Sequence, residues 1–317
     1  MDPFKLRNVF FGGKGGVGKT TCASAFALLA SQKGVKTLLV STDPAHSLSD
    51  LFGVPIGNRE TELSPGLRGL EIDPDHEAET YVAKAKALVE RLGISDSAGA
   101  FSRQMDLAVH SPGTQEAALF DKVTDLITRT PNPHDLLVFD TAPTGQTLRL
   151  LTLPERMGAW AGLLAKRRER VSSFRKMFSN VSGKPAGEDA VSDLLENRKW
   201  KFEETGRILT DPSQTGFYLV LIPEKLPILE TKKAIPVLEQ YRIPIRGMIV
   251  NRLLPENAEG EFLRKRKAQE RSYLDEIETL FTSRRRAYLK QGESDVSGMK
   301  ELRRLGREME SALTAAG

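Results

Sequence analysis

Asn8-Val9-Phe10-Phe11-Gly12-Gly13-Lys14-Gly15-Gly16-Val17-Gly18-Lys19-Thr20-Thr21 runs from an apolar β-forming stretch into a glycine-rich octet. Residues 13–20 match the spacing G-x-x-x-x-G-K-[ST]. That spacing has a physical reason. Glycines let successive backbone N–H groups turn inward around an anion, and the helix that follows adds the positive end of its dipole. Lys19 then reaches the β- and γ-phosphates of a nucleotide as a point charge, and the Thr20 hydroxyl is placed to ligate Mg²⁺. The nucleotide-binding segment expected from this reading is Gly13, Lys14, Gly15, Gly16, Val17, Gly18, Lys19, Thr20 and Thr21.

Outward from the loop, residues 20–32 are rich in Ala and Leu at helical spacing, with Gly34 where a helix C-cap is expected. Residues 36–40 read as a second buried strand. Strand, loop, helix and strand within a few dozen residues make a βαβ unit, hence a parallel sheet with a right-handed crossover. Buried-strand runs recur at 136–139, 216–222 and 246–250, continuous enough to be covered by helices on both faces. The expected fold is α/β, a doubly wound, mostly parallel sheet. Two stretches, about 75–129 and 153–209, carry helical periodicity and are too long for βα loops. They are expected to form one helical subdomain inserted into a single ATPase domain spanning 1–317. Residues 256–288 are charge-dense and expected to be helical, and 297–313 read as a closing helix.

Two carboxylates follow strands. Asp43 lies in Ser41-Thr42-Asp43-Pro44-Ala45-His46, and Asp140 in Phe139-Asp140-Thr141-Ala142-Pro143-Thr144-Gly145. In a parallel α/β sheet such residues border the ligand crevice. Asp140 is expected to hold Mg²⁺ through water, and Asp43 to orient the water that attacks the γ-phosphate. Pro143 and Gly145 are expected to form a switch loop close to that phosphate.

Composition sets the bounds. The 317 residues carry 39% hydrophobic and 28% charged residues and a net charge of +4, mild for a nucleic-acid binder, so none is expected as partner. No apolar run approaches the roughly 18–20 residues that span a bilayer. The N-terminal segment has no signal-peptide pattern, and the single Cys22 suits a reducing compartment, so a cytoplasmic location is expected.

The octet with lysine at its second position resembles the deviant phosphate loop of the SIMIBI class of NTPases, in which Lys14 would cross a dimer interface to the partner's nucleotide. Residues 41–50 (STDPAHSLSD), 140–151 (DTAPTGQTLRLL) and 249–254 (IVNRLL) extend the likeness to the family of ArsA and the tail-anchored-protein-targeting ATPases, over nearly the whole chain. Further segments, 111–116 and 273–277, are similar as well. The resemblance implies Mg·ATP hydrolysis, a homodimer that closes on ATP, Asn251 at the adenine edge and Glu224 contacting the nucleotide across the interface. It also has departures. Gln146 stands where the family has histidine. Residues 260–263 replace the zinc-binding CxxC pair, so no zinc is expected. Residues 287–289 lack the proline of the second adenine-bracketing segment. The cysteines of the tandem arsenite pumps are missing, and there is one phosphate loop.

Met157, Trp160, Leu163, Leu164, Val171, Phe174, Met177 and Phe178 fall near one helical face, interleaved with the basic run 166–170. An ordinary core helix explains that stripe. So does a groove for an apolar client peptide, such as a membrane-protein segment. The basic run reads as a solvated face, or as a patch for an acidic partner or peripheral membrane contact. Three functions follow: a targeting ATPase with an apolar client, the soluble motor of an arsenite pump docking on a membrane subunit, and a partitioning ATPase acting on a surface. The switch segments favour the first two.

Overall fold

The computed structural model describes residues 2–43, 47–91, 106–141, 188–256 and 259–315. The chain divides into two compact units, one of residues 1–72, 131–149 and 209–317, the other of residues 73–130 and 150–208.

The first unit is built on an eight-stranded sheet among the described residues, ordered β3-β4-β2-β5-β1-β6-β7-β8. The strands are β1 (Asn8–Gly12), β2 (Thr37–Ser41), β3 (Thr61–Ser64), β4 (Leu67–Glu71), β5 (Leu136–Asp140), β6 (Thr215–Leu221), β7 (Ile245–Leu253) and β8 (Arg286–Lys290). Only β3 runs antiparallel, pairing with β4. β1, β2, β5 and β6 are buried at every residue, as unbroken apolar strands covered on both faces must be. The doubly wound α/β fold expected from the pattern is the fold observed.

Helix α1 (Lys19–Gln32) leaves the phosphate loop and is buried almost all round, because it lies under α8 (Gly298–Ala315) as well as on the sheet. A Cβ at Gly306 of α8 would stand 2.9 Å from the Ala25 carbonyl, so the two helices touch backbone to backbone. Phe26 of α1 meets Phe4 and Phe11 at ring-centroid distances of 5.0 and 5.5 Å. On the opposite face Phe10 stacks on Phe139 at 4.5 Å and on Phe217 at 6.3 Å. Each fully buried phenylalanine is worth about 1.5–3 kcal/mol of burial. They sandwich β1 between aromatic layers and fix the strand that ends in the loop. The unit also holds α2 (Ser47–Phe52), α6 (Lys225–Gln240) and α7 (Glu261–Leu280).

Several elements differ from the sequence expectations. β3, β4 and β8 are additional strands. The charge-dense stretch 256–288 is not one helix: α7 ends at Leu280, where Phe281 caps it at 4% exposure, and Arg286-Ala287-Tyr288 belongs to the edge strand β8. Only Ile277 of α7 is buried, so nothing apolar carries its periodicity beyond that turn.

The described part of the second unit comprises α3 (Pro74–Arg91), α4 (Pro112–Thr128) and most of α5 (Glu188–Thr210). Ala78, Val82, Val109 and Ala118 form its buried cluster. Phe120 of α4 meets Phe202 of α5 at 5.4 Å. The stripe at Met157, Trp160, Leu163, Leu164, Phe174, Met177 and Phe178 lies outside the described residues.

Candidate functional site

The loop after β1 turns where side chains cannot follow. A Cβ on Gly13 would stand 2.1 Å from the Val220 carbonyl oxygen. Gly18, the N-cap of α1, has φ 92° and would meet Asn251 Nδ2 at 2.4 Å. Glycine alone satisfies both positions. On the other side no atom of the described residues comes within 4 Å of a Cβ built on Gly15 or Gly16. The loop is therefore gripped from beneath by β6 and β7 and, among the described residues, uncovered above.

Lys19 is 5% exposed and its Nζ donates to the Lys14 carbonyl at 3.2 Å. Burial lowers its pKa, and the charges of Asp140 and Asp43 oppose that shift. The ammonium is thus held at the loop with little water around it, the condition in which a phosphate contact is strongest. Thr20 Oγ1 donates to Asp140 Oδ2 at 2.7 Å, and Ser41 Oγ lies 3.4 Å from the same oxygen. Asp140 is fully buried. Burial raises its pKa to about 7 against the Thr20 hydrogen bond and the Lys19 charge. Its other oxygen, Oδ1, is buried and accepts no hydrogen bond from the described residues. An orphaned carboxylate oxygen beside a hydroxyl, under a desolvation penalty, fits a hard divalent cation.

Asp43 follows β2, and its backbone N–H donates to Ser41 Oγ at 3.3 Å. Thr42 N–H donates to the Asp140 carbonyl at 2.9 Å, and Thr141 Oγ1 to the Phe11 carbonyl at 2.7 Å. The ends of β1, β2 and β5 are thus stitched together, and the sheet brings Lys14, Lys19, Thr20, Asp43 and Asp140 to one edge. Pro143, Gly145 and Gln146 lie outside the described residues.

Asn251, in β7, is 8% exposed and donates from Nδ2 to the Val17 carbonyl at 2.9 Å, supporting the loop from below. The next residue, Arg252, holds φ 57°, an uncommon conformation for an arginine. Glu224 is the N-cap of α6 without a side-chain capping bond, 3.7 Å from Arg266. Both Glu224 and Arg252 line a cavity of about 460 Å³ at the ends of β6 and β7, together with Arg266, Glu270, Tyr273 and Gln291. Cys22 is fully buried in α1, and burial pushes its thiol up to about 12. It is a core residue.

One site residue escaped the sequence reading. Glu71 ends β4 at 1% exposure and accepts three hydrogen bonds from Leu48 and Ser49. A glutamate closing a short strand resembles any surface residue until the neighbouring strands are known.

A glycine loop between parallel strand and helix, an invaginated lysine, and a carboxylate on an adjacent strand end define a phosphate-loop NTPase. The model of the anion-transporting ATPase family, ArsA_ATPase, matches residues 6–311. The chain belongs to that family and is an ATPase that hydrolyses ATP. It is 38% identical to "Putative arsenical pump-driving ATPase 2" of Aquifex aeolicus, covering 95% of this chain and 98% of that protein. It is 34% identical to "ATPase GET3A" of Arabidopsis thaliana over 89% of this chain and 77% of the relative. With "ATPase get3" of Schizosaccharomyces japonicus it shares 33% over 95% and 92%. Among the described residues no helix is long and apolar enough to cross a membrane.

Proposed function

We propose that the chain hydrolyses Mg·ATP as a homodimer whose nucleotide-driven closure handles an apolar client, of the kind presented by a membrane-protein segment. The observation that carries the reading is the loop at Gly15 and Gly16, uncovered among the described residues, above a buried ammonium and carboxylate. Such a site works only when water is excluded, and a second copy laid over the loop would exclude it.

Thr20, and Asp140 through water, would hold a divalent cation, which would supply positive charge at the nucleotide's phosphate oxygens. Lys19 leaves the Lys14 carbonyl to bind the same phosphates, Asp43 orients the attacking water, and Lys14 reaches the nucleotide of the partner copy. Gly13, Gly15, Gly16, Val17, Gly18 and Thr21 line the phosphates with the loop backbone. Pro143 and Gly145 answer the γ-phosphate as the switch. Glu224 contacts nucleotide from across the interface, and Asn251 meets the adenine edge from β7. The helical segments about 75–129 and 153–209 form the client-bearing subdomain. Exposed Leu107 and Trp200 in the helical unit are in keeping with an apolar surface there.

The alternative is a pump motor, a role named for the Aquifex aeolicus relative. Cys22 argues against metalloid sensing, because a trivalent metalloid needs convergent thiolates and this thiol is buried and held protonated. The experiment measures two things on one preparation: binding of a peptide with one transmembrane segment in ATP and ADP, and ATPase activity with and without arsenite. Tighter peptide binding in ATP, with arsenite without effect, is expected. Arsenite stimulation that vanishes in Cys22→Ser, without nucleotide-dependent peptide binding, would return the pump reading.

A further inference from the structure

We propose that Glu71 is a positioning residue for ATP hydrolysis, clamping the chain that carries Asp43 from its downstream side. The proposal rests on the reading of Asp43 as the group that orients water.

The sheet register puts Glu71 in the catalytic row. Ser41 of β2 is aligned with Glu71 of β4 on one side and with Asp140 of β5 on the other. Asp140 in turn is aligned with Phe11 of β1, one residue from the loop. Glu71 is therefore the mirror of Asp140 across the strand that leads to Asp43.

Both oxygens of its carboxylate are held by α2. Oε1 accepts the backbone N–H of Leu48 at 2.7 Å and of Ser49 at 3.1 Å. Oε2 accepts the Ser49 hydroxyl at 2.7 Å. Ser49 Oγ also accepts the N–H of Ile56 at 2.9 Å, which ties the segment after α2 to the same serine. Leu48 is fully buried directly beside these bonds.

Asp43 thus lies between two anchored stretches of the chain. Upstream, Ser41 and Thr42 bind it to β5 through the Asp43 N–H and the Asp140 carbonyl. Downstream, α2 begins at Ser47, and Glu71 holds the N–H of the next residue, Leu48. An N-cap made by a local serine or aspartate would stabilise α2 without fixing it to the sheet. A buried carboxylate is costlier, since its charge must be desolvated. What it adds is a tie between two elements at the edge where chemistry occurs. Phosphoryl transfer depends mostly on positioning, and a misplacement of about 1 Å can cost about 10²-fold in rate.

Glu71→Gln keeps the shape and one acceptor but removes the charge that draws three donors together. The experiment is a double-mutant cycle of Glu71→Gln with Asp43→Asn, reading kcat, KM and ATP affinity. Glu71→Gln alone is expected to lower kcat about tenfold, or about 1.4 kcal/mol of barrier, with KM and ATP affinity nearly unchanged. In the Asp43→Asn background it should lower kcat no further. Glu71→Asp, which restores the charge at shorter reach, should recover part of the rate. Equal losses in both backgrounds, or a loss of ATP affinity that matches the loss of turnover, would overturn the proposal and leave Glu71 an anchor of α2 alone. If Asp43→Asn by itself turns over at the wild-type rate, the assignment of Asp43 fails separately. Should Glu71→Gln not fold, Ser49→Ala, which removes one of the three donors, passes through the same cycle and is judged by the same outcomes.

Discussion

At the carboxyl ends of β1, β2 and β5, Thr20, Ser41, Thr42, Asp140 and Thr141 hold one another inside the protein, across strands adjacent in the sheet. In the helical unit most of the ion pairs between helices are partly exposed, although Lys122 of α4 also reaches the buried Glu77 of α3 at 2.7 Å. Asp121 of α4 meets Arg198 of α5 at 3.1 Å and Lys84 of α3 at 3.8 Å, and Asp125 pairs with Lys201. These side chains are 17–57% exposed. Exposed pairs are worth little and tolerate rearrangement, whereas a buried network is costly to disturb at any member. The sheet edge is thus a fixed frame for charge, and the exposed ion pairs between the helices can be exchanged at small cost.

The largest effect expected at the frame is from Lys19→Ala, which removes the buried ammonium aimed at the phosphates. ATP hydrolysis should fall by about 10²–10³, the scale of losing one preorganised charge contact. A steady-state phosphate-release assay decides it, and hydrolysis near the wild-type rate would break the contrast between the two regions.

Asp140→Asn sharpens the contrast through stability. Burial has raised this carboxyl from 3.8 to about 7, so its charged form is disfavoured in the folded protein. The penalty is absent below the unfolded value, grows as pH rises through the interval between about 4 and 7, and is complete above it. Without metal and nucleotide the variant should therefore melt several degrees above wild type at pH 8, with a smaller gap at pH 5. Mg²⁺ with ADP should stabilise wild type more than the variant. Thermal melts at the two pH values test this, and a variant less stable at pH 8 than at pH 5, relative to wild type, would contradict it.

The smallest effect belongs to the helical unit. Arg198→Ala loses the Asp121 pair and a guanidinium 5.1 Å from the Tyr81 ring centroid. A destabilisation of about 0.5–1 kcal/mol is expected, with basal ATPase activity unchanged. Denaturant melts and the phosphate-release assay check both halves, and a tenfold loss of turnover would show that the helical unit is coupled to the frame.

The same contrast explains what could be read from sequence. The octet 13–20 was legible because its chemistry is local: loop, lysine and hydroxyl fall within eight residues, with Gly34, at φ 84°, just beyond the end of α1. The strands β1, β2, β5, β6 and β7 were legible as unbroken apolar runs. β8 was not, since Arg286-Ala287-Tyr288-Leu289-Lys290 buries only alternate residues at the sheet edge amid charge-dense sequence. β4 was not, because Arg68 faces out and Glu71 ends the strand, and nothing local tells a buried glutamate from a solvated one. The support that Asn251 gives to Val17 joins residues 234 positions apart, a relation visible only once β7 lies two strands from β1.

The central claim is that two copies share each ATP site, and mixing subunits tests it most directly. Lys14→Ala and Asp43→Asn proteins should each be nearly inactive alone. In a mixed dimer, one site would keep its own Asp43 and receive the partner copy's Lys14. An equal mixture that has exchanged subunits should regain about a quarter of the wild-type turnover, since half the dimers are mixed and each has one intact site of two. Activity that stays at the level of the separate variants, with exchange demonstrated, would contradict the shared site.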